Sequence, residues 1–110
     1  MAVSKRPIKF AVCGKEWTAH CLAPSTFSRR HGKKTVAITL CDDKAIYFRI
    51  GETSKETVIH EIFHAFLSEH GASSMDLTAV QMEELCAEMF SKHAELILAT
   101  AGIIMASLGI

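Results

Sequence analysis

Between Thr53 and Gly71 the chain carries Val58, Ile59, Ile62, Phe63, Phe66 and Leu67, apolar side chains that recur at steps of three and four. That period gathers them on one side of an α-helix, and a stripe of this kind must be covered by other elements. The run is bounded at both ends. Thr53-Ser54-Lys55-Glu56 has the capping-box pattern, in which a hydroxyl and a carboxylate satisfy each other's orphan amides, so the helix is expected to begin near Ser54. Gly71 supplies the C-terminal stop, which gives a helix of about 17 residues and about 25 Å. After the turn region Gly71–Asp76, a second apolar series runs through Val80, Met82, Leu85, Cys86, Met89, Phe90, His93, Leu96 and Ile97 and predicts a helix reaching Ala99 or beyond.

The preceding half is rich in β-formers. Ile8–Val12 and Trp17–Leu22 are read as strands joined by a turn at Gly14-Lys15, and Thr35–Leu40 and Ala45–Ile50 as strands joined by Cys41-Asp42-Asp43-Lys44. Ala23–Lys34, with Pro24, Ser25, Ser28 and Gly32, is expected to be a loop. The predicted fold is α+β: a small antiparallel sheet of three to four strands packed on one helix and a second long helix, in a single domain over residues 1–110. A chain of this length buries roughly two-thirds of its unfolded surface, so any active site must lie on that one core.

Twelve Lys and Arg against twelve Asp and Glu give no net charge. A nucleic-acid partner is therefore not expected, because neutralising phosphates takes a surplus of cations on one face. The basic cluster Arg29, Arg30, Lys33 and Lys34 is read as solvated loop. Cys13, Cys21, Cys41 and Cys86 contain no C-x-x-C pair, and Lys5, Arg6 and Lys9 precede no apolar run of signal-peptide length. Reduced thiols and a cytoplasmic location are the expectation. Leu96–Ile110 is uncharged but falls short of the ~20 residues needed to span a bilayer, and Gly102 and Gly109 are expected to break it. It is read as a buried terminal segment or a contact between copies of the chain.

The first helix contains His60-Glu61-Ile62-Phe63-His64, an H-E-x-x-H pattern. Histidines four apart on a helix project from one face about 6 Å apart, close enough for both imidazoles to hold one Zn2+ at about 2.1 Å with the glutamate beside a bound water. Zinc sites that do chemistry have three protein ligands, so a third must come from elsewhere. His70 has a spacing seen in longer histidine motifs, but Leu67 stands where those motifs need a glycine, and His70 is read as a capping residue at the helix C-terminus. On the second helix the apolar positions centre near about 30°, Glu83 lies near about 100°, Glu84 near about 200° and Glu88 near about 240°. Only Glu83 borders the packed face, whereas Cys86 and His93 are read as core side chains.

The short sheet, the His60-Glu61-x-x-His64 helix and the Glu83-Glu84-Leu85-Cys86-Ala87 segment together resemble a minimal zincin of the gluzincin type, similar to the ImmA/IrrE metallopeptidase family and its small phage and prophage relatives. The resemblance covers about Thr53–His93 and implies one zinc per chain, held by His60, His64 and Glu83, with Glu84 as the alternative third ligand. It implies Glu61 as general base in the hydrolysis of a peptide or protein substrate, and host cytoplasm as the location if the chain is phage-encoded. It also implies that the Ala45–Ile50 strand flanks the cleft and pairs with an extended peptide, with Tyr47 as an oxyanion stabiliser. The alternative is a non-catalytic, zinc-stabilised domain that binds a partner through Leu96–Ile110. A SprT-like protease acting near DNA would need a later histidine ligand, for which His93 is the candidate, and a basic face.

Overall fold

The computed structural model describes residues 3–72 and 75–110, so Ser73 and Ser74 of the predicted turn lie outside the described residues. Strands β1 (Ile8–Val12) and β2 (Lys15–Leu22) form a hairpin in which Val12 faces Lys15. The turn is therefore Cys13-Gly14, one residue earlier than expected. Its φ values of 50° and 78° are the positive pair that a two-residue hairpin of this twist requires.

The segment Ala23–Lys34 is not a loop. Pro24–His31 forms helix α1, with proline in its first turn and the cations Arg29 and Arg30 in its last, where positive charge opposes the helix dipole. Two turns of polar helix have little stability alone, and Phe27, fully buried, fixes α1 on the sheet. Buried Arg49 completes the attachment. Its Nη1 donates to Glu52 Oε2 at 2.7 Å and its Nη2 to Ser28 Oγ and Lys33 O, each at 2.9 Å.

Strands β3 (Ala37–Leu40) and β4 (Ala45–Arg49) form the second hairpin. The four-stranded sheet has the order β1-β2-β4-β3, so β4 lies inside the sheet and β3 at its edge. The α+β class and the strand content are as expected, but the sheet is mixed. Its central pair, β2 and β4, is parallel, because the chain crosses over through α1 before returning.

Helices α2 (Lys55–Glu69) and α3 (Ala79–Leu108) cover the other face. Trp17, Ala19 and Cys21 of β2, Ile46 and Phe48 of β4, Val58, Ile62, Ala65 and Phe66 of α2, and Met89, Ile97, Ala101 and Ile104 of α3 form the core. Each fully buried large side chain there contributes about 1.5–3 kcal/mol. At the end of α2, Glu69 accepts from Trp17 Nε1 at 2.7 Å and Lys44 Nζ at 2.6 Å. With Lys44 partly exposed, that ion pair is worth at most about 1 kcal/mol. Apolar burial, not charge, holds the helices to the sheet.

Helix α3 is 30 residues long and passes through Gly102 without a break, ending at Gly109, whose φ of 77° is left-handed. By length and composition alone it is long and apolar enough to cross a membrane, unlike the shorter segment read from the sequence. Ile97, Thr100, Ala101, Ile104 and Leu108 are buried, while Leu96, Leu98, Ile103 and Ile110 are exposed.

On the α1 face, Tyr47 stacks on His20 at 4.6 Å between ring centroids and meets His31 at 4.8 Å. Burial lowers both imidazole pKa values from the ordinary 6.5, and the nearby Arg30 charge adds to the effect. Unfolded chain therefore binds more protons than folded chain just below that value. The stability these groups confer is complete above about pH 6.5 and is lost as pH falls toward their lowered folded values. With chelator present, the denaturant midpoint is expected to drop between about pH 7 and about pH 5.5 more steeply for the native chain than for the His20→Gln/His31→Gln variant. Equal slopes would refute the assignment.

Candidate metal centre

Helix α2 starts at Ser54, whose hydroxyl accepts from the Thr57 amide at 3.2 Å. Thr53 is not the cap: its buried hydroxyl donates to Arg49 O at 2.7 Å, at the end of β4. From this start, Val58, Ile62, Ala65 and Phe66 turn inward, and the same four-residue period turns His60 and His64 outward. Their Nε2 atoms are 3.0 Å apart, with the rings edge to face. Two nitrogens on one tetrahedral zinc, each at about 2.1 Å, stand about 3.4 Å apart, so the pair is set for a shared cation. Without a metal the same contact is one N–H···N hydrogen bond.

Glu61 lies between α2 and the edge strand and is 9% exposed. Thr39 Oγ1 of β3 donates to its Oε1 at 2.8 Å, and its Oε2 is 3.8 Å from His60 Nε2. One carboxylate oxygen is thus anchored to the sheet and the other is turned toward the histidines. An open groove of about 370 Å³, lined by Glu56, Ile59, His60, Phe63 and His64, adjoins the pair.

Glu83 does not join them. Among the described residues, the ligand atoms gathered with His60 and His64 are those of Glu61 alone. The reason is the length and placement of α3. Its first buried residue is Met89, and Glu83 sits six residues, about 9 Å, ahead of it on exposed helix. His93 meets Phe66 and His70 at the C-terminal end of α2, with ring centroids 5.3 and 5.2 Å apart. The turns before His93 therefore project past α2, away from His60 and His64. Glu84 and Glu88 are exposed on the same overhang.

Tyr47 is also elsewhere. Ile46 and Phe48 enter the core beneath α2, so Tyr47 between them faces α1, on the side of the sheet opposite Glu61. Nor does β4 flank an open cleft, because it is paired on both sides by β2 and β3. His70 is the C-cap of α2, as expected, with its amide on Phe66 O at 3.1 Å. Cys86 and His93 are half-buried rather than core.

Sequence reasoning missed two participants. Thr39 reaches Glu61 across 22 positions, a strand-to-helix contact with no local signature. Cys13 stands in the β1–β2 turn with its Sγ 3.8 Å from His70 Nδ1. Burial, with the Glu69 charge adding, raises that thiol's pKa.

No protein-family model, curated protein or solved structure matches the chain. In zinc titrations followed with a competing chromophoric chelator, Glu83→Ala is expected to bind at the His60–His64 pair as the native chain does. His64→Ala is expected to weaken that site by more than about tenfold, since even outer-shell partners of a ligand are worth that much. Weakening by Glu83→Ala of the same size would restore it as a ligand.

Proposed function

We propose that the chain is a zinc-dependent peptide hydrolase with its site on α2. The observation that supports this most is the convergence of the His60 and His64 Nε2 atoms at 3.0 Å, with a Glu61 carboxylate oxygen 3.8 Å from His60 Nε2. Zinc held there supplies Lewis acidity and lowers the pKa of a coordinated water toward about 7. Glu61, fixed through Oε1 by Thr39, keeps Oε2 turned toward the pair, where it takes a proton from water and returns it to the leaving amine. The carboxylate's burial beside the edge strand limits its wandering, which is what a base that moves a proton in both directions needs. An extended substrate peptide is placed against β3, the edge strand next to α2, by backbone pairing. Among the described residues, two imidazoles are the ligands gathered beside the Glu61 carboxylate, so the third protein ligand usual for a catalytic zinc is not supplied at this cluster.

The second reading is a non-catalytic zinc-stabilised domain that binds a protein partner. It is favoured by the exposure of Leu96, Leu98 and Ile103 on α3 and of Ile110 just beyond its end. Glu61→Gln separates the two, because the amide oxygen still accepts from Thr39 while the base is lost. On a library of unstructured peptides, cleavage by the native chain is expected to stop with chelator and return with zinc. Glu61→Gln is expected to cut the rate by about 10²–10⁴ with zinc retained. A zinc-loaded native chain that cleaves none of the peptides would leave the partner-binding reading standing.

A further inference from the structure

Cys13, His70 and His93 come from three separate elements: the β1–β2 turn, the C-cap of α2 and the middle of α3. One ligand atom from each lies within 4.8 Å of the other two. Cys13 Sγ is 3.8 Å from His70 Nδ1, and the His70 and His93 rings meet edge to face with centroids 5.2 Å apart. A sulfur at about 2.3 Å and a nitrogen at about 2.1 Å on one tetrahedral zinc are about 3.6 Å apart, close to the observed separation. We propose that these three side chains form a second, structural site for a thiolate-preferring divalent ion such as zinc, distinct from the His60–His64 pair.

The surroundings fit this role. Phe66 O lies 2.8 Å from His70 Nδ1. The ring can therefore donate its Nδ1–H to that carbonyl and ligate through Nε2, or, in the other tautomer, give up that hydrogen bond and ligate through Nδ1 beside the sulfur. Either arrangement is a neutral imidazole with a lone pair for the metal. His93 rests against Phe66, which limits its rotation. Cys13 adopts a φ of 50° in a turn where glycine or asparagine is usual, and this conformation carries its side chain to the end of α2. One thiolate with two imidazoles selects zinc, cobalt(II) or copper over magnesium and calcium, which prefer oxygen. Such an ion would tie the sheet and α2 to α3 near Met89, the first point at which α3 is buried.

The test is a cobalt(II) titration of the full chain, stripped of metal and kept reduced, read by the thiolate-to-cobalt charge-transfer band. The native chain is expected to show the band, which in the His60→Asn/His64→Asn variant saturates at one equivalent, together with a rise in thermal midpoint on adding zinc. Cys13→Ser is expected to abolish the band, and His93→Asn to weaken cobalt binding there at least about tenfold. The His60→Asn/His64→Asn variant and the Cys21→Ala/Cys41→Ala/Cys86→Ala variant are both expected to keep it, the first showing independence from the hydrolase proposal. Absence of the band in folded native chain, or its survival in Cys13→Ser, overturns the inference.

Discussion

Everything in this chain depends on the burial of one face of α2. Val58, Ile62, Ala65 and Phe66 are driven against Trp17, Ile46 and Phe48 because removing those surfaces from water outweighs any polar contact nearby. The same four-residue period that drives them inward sets His60 and His64 outward together, so the core and the candidate metal pair are phases of one helix. Glu61 falls between them, at the seam with β3. Its position is thereby set by packing, and its orientation by one hydroxyl, that of Thr39.

What could be read from the sequence follows the range of the interactions involved. The strands, the α2 boundaries near Ser54 and Gly71 and the His60–Glu61–His64 constellation are local patterns, and they were legible. So was His70 as a cap. Helix α1 was not, because its eight residues, with Phe27 the one large apolar side chain, show no apolar period and owe their helix to the contacts of Phe27 and Arg49, visible only in three dimensions. The parallel pairing of β2 with β4 was hidden for the same reason. Thr53 looked like a cap until Arg49 O claimed its hydroxyl.

Glu83 illustrates a different limit. Its angular position on α3 was inferred from periodicity, but periodicity says nothing of where along its length a helix meets its neighbour. The apolar side chains from Val80 to Leu85 extend the stripe, yet Val80 is 66% exposed because α3 is longer than the surface available to it. Glu83 lies on the exposed part of α3 that precedes Met89, the first residue of the helix to be buried. Further along α3, His93 meets His70.

The order β1-β2-β4-β3 has a consequence for how the chain reaches this state. Each hairpin closes locally, with Val12 against Lys15 and Leu40 against Ala45, whereas Thr18 and Ala45, paired across the sheet's centre, are 27 positions apart in sequence. Neither hairpin is stable by itself in water. Assembly thus turns on joining the two hairpins along the β2–β4 seam, a non-local step whose loop-closure entropy must be met before the apolar face exists for α2 to cover. Arg49, at the last rung of that seam, binds α1 and its following loop, so the crossover is fastened where the two halves meet.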